Sequence, residues 1–169
     1  MTRIIKNKRI VDDPWRIVTL AGGETPESVE VPETRAIVPL SVWLARKDEI
    51  LARGEPAGVW LDAHEGPEAI AADLAHFALI AVNFPKFSDG RGYSTARLLR
   101  ERHGYSGELR AIGDVLQDQL YFMKRCGFDA YAVRADKDIA AALAGLEEFP
   151  ESYQAAADQP LPLFRRRSA

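Results

Sequence analysis

The sequence predicts an α/β fold in which repeated strand–helix units form a mainly parallel sheet, preceded by an N-terminal β-hairpin. Three observations predict it. From Ala36 onward, short apolar runs with β-branched residues alternate five times with stretches of helical spacing. Residues that start and stop helices punctuate those stretches. At the chain's start, two short apolar runs flank Lys6-Asn7-Lys8, which suits a tight turn between paired strands.

The hairpin strands are Ile4-Ile5 and Arg9-Ile10-Val11, with Asn7 in the turn. The stretch from Asp12 to Glu33 carries Pro14, Trp15, an apolar run Ile17-Val18-Thr19-Leu20, then Gly22, Gly23, Pro26 and Pro32. It reads as a strand and a loop-rich connection. The five repeated strands are Ala36-Ile37-Val38, Gly58-Val59-Trp60-Leu61, Ala78-Leu79-Ile80-Ala81-Val82, Leu109-Arg110-Ala111-Ile112 and Ala130-Tyr131-Ala132-Val133. Helices are expected at 41–53, 67–76, 94–103, 114–126 and 136–147. Ser41, Ser94 and Asp114 suit N-caps, whose side-chain oxygens accept the first free N–H groups. Pro67 suits a first helical turn, and Gly54, Gly104 and Gly127 stand where left-handed C-terminal residues belong. In the fourth helical stretch Val115, Leu116, Gln119, Leu120, Phe122, Met123 and Cys126 form a broad inward stripe, leaving Asp118, Lys124 and Arg125 toward the outside.

Parallel strands joined by helices require right-handed crossovers. Both an open doubly wound sheet and a partial barrel satisfy that rule, whereas a full eightfold barrel needs about 250 residues. The 169 residues are expected to form a single domain, 1–169: a hairpin and loop-rich lead-in over 1–35, a repeated strand–helix core over 36–150, and an extended or disordered tail over 151–169.

Composition narrows the function classes. With 47% hydrophobic and 28% charged residues, the chain falls among ordinary globular domains. A net charge of -3 supplies no overall field for nucleic acid, so none is expected as a partner. No apolar run reaches the roughly 18 residues of a spanning helix, and Met1-Thr2-Arg3-Ile4-Ile5-Lys6 lacks a signal peptide's apolar stretch. No membrane partner is expected, and the expected location is cytoplasmic. The lone Cys126 excludes an intrachain disulfide, a CxxC pair, a cysteine-ligated zinc site and a four-cysteine cluster within one chain. His64, His76 and His103 are scattered, and no metal site is expected.

Ligands of parallel α/β folds gather beyond the carboxyl ends of strands. The longest such loop, Asn83 to Ser94, holds Lys86, Asp89 and Arg91 with Gly90 and Gly92 just before a helix. Backbone donors and a guanidinium there suit a small oxyanion or a phosphate-bearing ligand. The alternative is a structural turn, with Asp89 bonding its own backbone and Ser94 capping the helix. Arg110, inside a parallel strand, needs an acidic partner because an unpaired buried charge is costly; Asp114, Asp89 or a bound anion can supply it, unless Arg110 reaches water at a strand end. The candidate ligand-binding residues are therefore Lys86, Asp89, Gly90, Arg91 and Arg110, with Asp89 and Asp114 as candidate proton-handling groups. Asp114 and Gln117 also fit a capping box.

The string from Phe84 to Ser94, then Leu98-Leu99-Arg100, Gly107 to Leu120, and Arg125 to Ala130, resembles an uncharacterised bacterial family described as oxidoreductases of sulfite reduction. The likeness spans about Ala36 to Arg134. It implies an accessory role, oxidoreductase or not, in assimilatory sulfite reduction, with the sulfite/nitrite reductase haemoprotein as partner. The alternative it implies is a noncatalytic docking or scaffold partner of that haemoprotein or of its electron donor, using the hairpin, exposed aromatics or the proline-rich end. No catalytic residue transfers from the family. The chain carries no flavin, nicotinamide or haem-attachment motif, which leaves the cofactor of an enzyme reading unassigned.

Overall fold

The computed structural model describes residues 2–147 and 154–166. Its strands are β1 (Arg3–Lys6), β2 (Arg9–Asp12), β3 (Arg16–Ile17), β4 (Ala36–Pro39), β5 (Ala57–Leu61), β6 (Phe77–Phe84), β7 (Glu108–Gly113) and β8 (Ala130–Tyr131). The helices are α1 (Leu40–Ala52), α2 (Arg91–Glu101), α3 (Gln117–Cys126), α4 (Ile139–Gly145) and α5 (Leu163–Arg166), with a 3-10 helix over Pro67–His76.

The strands form one mixed, mostly parallel sheet in the order β2-β1-β8-β7-β6-β5-β4-β3. β3 to β8 pair in parallel, each with its neighbour in sequence. β1 is antiparallel to both β2 and β8. The expected hairpin is present: Lys6 pairs with Arg9, so Asn7 and Lys8 alone make the turn, with φ of 49° and 61°. Two successive left-handed residues give the turn a twist that matches the strands.

This order decides between the two expected architectures. A doubly wound sheet reverses strand order at a switch point. Here the six parallel strands advance in one direction, so right-handed crossovers place their helices on one face. The larger core lies on that face, where Val38, Val59, Ile80, Val82 and Leu109 meet Trp43, Leu99, Leu120 and Met123. Ile37, Leu79, Ala81 and Ile112 occupy the other face with Trp15 and Trp60.

Chain connectivity shows that the sheet curls into a partial barrel. Eight strands about 4.8 Å apart would span about 34 Å if flat. Yet only Asp13, Pro14 and Trp15 separate β2 from β3, the two edge strands. That connection reaches roughly 14 Å at full extension, so the edges approach one another and the three residues strap the opening. The strap enters the concave face. Trp15 lies against Gly58, the Asp13 carboxylate meets Arg110 at 2.8 Å, and just beyond β3 the Val18 carbonyl accepts a 2.8 Å bond from Trp60 Nε1.

Several local expectations change. Gly54, Gly104 and Gly127 are left-handed, with φ of 71°, 65° and 114°, and Pro67 opens its helix. Ser41 and Ser94, however, lie inside α1 and α2, which follow Pro39 and Gly90. Asp114 does not cap α3 and makes no capping box with Gln117; the backbone N–H of Leu116 donates instead to Gln119 Oε1 at 3.2 Å. Phe122 leaves the inward stripe and is exposed, while Leu120, Met123 and Cys126 stay buried.

The described part of the expected tail folds back on α3. Arg125 Nη1 bonds Asp158 Oδ1 at 2.7 Å and its Nη2 bonds the Gln154 carbonyl. The Ala157 N–H donates to the Arg125 carbonyl at 3.2 Å. Residues 151–153 and 167–169 of that tail lie outside the described residues. Among the described residues no helix is long and apolar enough to cross a membrane.

Candidate functional site

The parallel strands deliver their following loops to one rim, and most of the rim's charged residues bind one another. After β6, the Asp89 N–H closes a turn on the Lys86 carbonyl at 3.0 Å. The Asp89 carboxylate accepts from the Arg91 backbone at 3.1 Å and from its guanidinium at 3.0 and 2.6 Å. These bonds hold the Asp89 carboxyl at about 2 and push Arg91 up from its ordinary value. Lys86 is exposed and makes no ion pair among the described residues. Gly90 immediately precedes α2 in ordinary right-handed backbone, with φ of -85°.

Arg110 is not brought to this loop. It lies in β7 on the concave face, 1% exposed, with its Nε and Nη2 on Glu108 Oε1 at 2.8 and 2.7 Å. Nη1 takes Asp13, and Lys6 Nζ reaches Glu108 Oε2 at 2.6 Å. The acidic partners are thus Glu108 and Asp13, rather than Asp114, Asp89 or an anion. Glu108 shares Arg110's face because side chains alternate along a strand, and Asp13 arrives on the strap. Two cations and two carboxylates balance, which is what a buried charge cluster requires.

Asp114, just past β7, joins two loops. It accepts from the Phe87 N–H at 2.8 Å and from Arg134 Nη1 at 2.7 Å. The Arg134 guanidinium, and then the Phe87 N–H, hold its carboxyl below the usual range. Arg134 also grips Asp136 at 2.6 and 2.7 Å, which raises Arg134 and lowers Asp136. Across the rim, Asn83 Nδ2 donates to Asp62 Oδ1 at 3.0 Å, and the Asp62 N–H donates to Glu65 at 2.8 Å. Gly113 makes this junction possible: its φ is 91°, and a Cβ there would overlap Asn83 Oδ1 and the Phe84 carbonyl.

Sequence reasoning singled out Asp89 and Asp114 but missed Arg134, Asp136 and Asn83. The available signal was positional, since each lies at or just beyond the carboxyl end of a parallel strand. Asp89 and Asp114 each accept hydrogen bonds at both carboxylate oxygens, and those bonds hold both carboxyls low, so they serve as acceptors. Among the described residues no group of three or more His, Cys, Asp or Glu is placed to hold a metal. Cys126 is buried, and burial pushes its thiol up.

An aromatic path leads from the core to this rim. Phe84 in β6 lies 5.1 Å from Tyr93, whose ring is 4.9 Å from Phe122 on α3. Phe122 is 55% exposed and Phe87 62%. Gln119 Nε2 donates to the Phe87 carbonyl at 2.7 Å, tying that loop to α3.

Residues 58–164 match the model of a bacterial protein family of unknown function, DUF934. The match runs from β5 into α5 and contains every candidate residue of the rim. No curated protein matches the chain.

Proposed function

Since this chain belongs to the bacterial DUF934 family, we propose that it is an accessory protein of assimilatory sulfite reduction. It docks, in this reading, to the sulfite/nitrite reductase haemoprotein or to that enzyme's electron donor. The sulfite context comes from the resemblance in its loop and strand motifs. The docking reading is carried by one observation: Phe87 and Phe122 stand exposed beside a rim where Asp89 pairs with Arg91 and Asp114 with Arg134. Aromatic side chains ringed by polar groups have the anatomy of an interface centre. Burying each ring would contribute about 1.5–3 kcal/mol. Biolayer interferometry with the purified haemoprotein tests this. Phe87→Ser combined with Phe122→Ser is expected to weaken binding at least about tenfold at unchanged melting temperature. Equal affinity of the double variant, or no complex at micromolar concentrations with the haemoprotein or, in a parallel run, with its electron donor, rejects the docking reading.

A second reading keeps the oxyanion site and, with it, an oxidoreductase role. It is favoured by the unpaired Lys86 in the same loop as Arg91, whose side chain is 60% exposed and bound only within that loop. Sulfite or a phosphate group would compete with Asp89 for the Arg91 guanidinium, while Asp89 and Asp114 act as acceptors rather than proton donors. Arg110 takes no part, being held by Glu108 and Asp13. Calorimetric titration with sulfite and with phosphate, repeated on Arg91→Ala, decides it; unchanged binding in the variant removes Arg91 from the site.

A further inference from the structure

The segment Gln154-Ala155-Ala156-Ala157-Asp158-Gln159-Pro160 brings three methyl groups and one charge to the ends of two helices. Ala156 and Gln159 exchange both backbone bonds, at 2.9 and 3.1 Å, so Ala157 and Asp158 form the tip of a tight turn. That turn lies beside Arg97, Arg100 and Glu101 of α2 and beside Lys124 and Gly127 at the end of α3. Its small side chains leave space on both flanks: a hollow of about 390 Å³ against α2 and another of about 290 Å³ against the end of α3. Few apolar atoms therefore hold the segment down.

Polar attachment is concentrated on one residue. Among the described residues, every hydrogen bond from this segment to α2 or α3 goes to Arg125. Its Nη1 donates to Asp158 Oδ1 at 2.7 Å, its Nη2 to the Gln154 carbonyl, and its own carbonyl accepts from the Ala157 N–H at 3.2 Å. The neighbouring cations give the segment no second anchor. Arg97 pairs with Glu101 at 3.1 Å, Arg100 is taken by the carbonyls of Gly127, Tyr105 and Gly107 and by Asp129, and Lys124 makes no hydrogen bond or ion pair among the described residues. A segment with little apolar burial and a single anchor belongs to the low end of local stability. Cys126 directly follows that anchor and is 5% exposed. Burial pushes its thiol up, after which Arg97 of α2 lowers it and Asp158 of the segment raises it, so the thiol is within electrostatic reach of both walls of the seam that the segment crosses.

We propose that Gln154–Pro160 is a releasable cover, latched by Arg125, whose opening while the sheet stays folded admits small reagents to Cys126 between α2 and α3. The cover stands apart from the rim and from either reading placed there. Iodoacetamide tests it on the full chain. The reagent is uncharged, and the Cys126 thiolate displaces its iodide to form one S–C bond, which the intact mass counts without ambiguity because the chain has a single cysteine. Rates are compared on the plateau above the thiol's titration, so that a changed thiolate fraction does not contribute. Asp158→Ala, which leaves α3 itself untouched, is expected to raise the plateau rate at least about tenfold at unchanged melting temperature. Sodium chloride should speed the wild type by screening the latch and leave the variant unchanged. Low urea should alter the wild-type rate far less steeply than it alters global unfolding, since a local opening exposes little surface. Equal plateau rates in wild type and variant, a wild-type rate indifferent to salt, or one that climbs with urea as steeply as global unfolding each overturns the proposal.

Discussion

Arg110 shows how a charge inside a parallel sheet is tolerated: its guanidinium reaches Glu108 and Asp13, and Lys6 balances the second Glu108 oxygen. Removing one partner of such a cluster leaves the others buried and uncompensated, which costs about 3–5 kcal/mol. Arg110→Met is therefore expected to lower unfolding free energy in urea by that amount, and a loss below about 1 kcal/mol would contradict the pairing. Asp73 behaves differently because its gain depends on pH. It accepts from Trp43 Nε1 at 2.9 Å and from Lys47 at 2.9 Å. These bonds, Trp43 first, hold its carboxyl below the ordinary 3.8. A carboxyl depressed on folding stabilises the protein above its unfolded value and loses that contribution as pH falls through the folded value. The stability gap between wild type and Asp73→Asn should be full near neutrality and narrow below about pH 3.8. Parallel melting curves down to acid pH measure it; a gap that widens in acid would reverse the assignment.

The packing of α2 on β6 turns on one missing side chain. A Cβ on Gly92 would stand 2.7 Å from Phe84 Cζ, 2.9 Å from Cε1 and 3.1 Å from Val82 Cγ1. Phe84 is fully buried and ringed by Tyr93 and Phe128, so the helix has to lift. Gly92→Ala should then destabilise by about 1–3 kcal/mol, although helix propensity alone favours alanine by about 1 kcal/mol. The two effects have opposite signs, so chemical denaturation separates them; a stabilised variant would show that the contact relaxes freely. The same approach carries Arg91 and the aromatic path, which makes Gly92 a determinant of the rim as well as of the core.

At the scale of the molecule, the strap Asp13–Trp15 joins the edges of a curled sheet and covers its concave face. A chain starting at Arg16 would lose β1, β2 and the strap together. Ile37, Leu79, Ala81 and Ile112 would then lose part of their cover, and Arg110 would lose Asp13 and the Lys6 balance. Such a chain is expected to bind a hydrophobic dye and to melt without a cooperative transition. Sharp, two-state melting without dye binding would show that the remaining strands close the core unaided.

Much of this molecule was legible residue by residue. The hairpin, the five strand–helix units and the helix stops at Gly54, Gly104 and Gly127 follow from backbone preferences and apolar spacing, which act over a few neighbouring residues. The Asp89-Gly90 turn was legible for the same reason. Asp13 meeting Arg110, the one-way strand order and Phe122 turned to solvent depend on where distant segments arrive. Sequence by itself determined the local conformations and which residues carry charge. Only the tertiary structure decided which charges neutralise one another and which remain free, because that rests on the curl of the sheet, a property of all its strands at once.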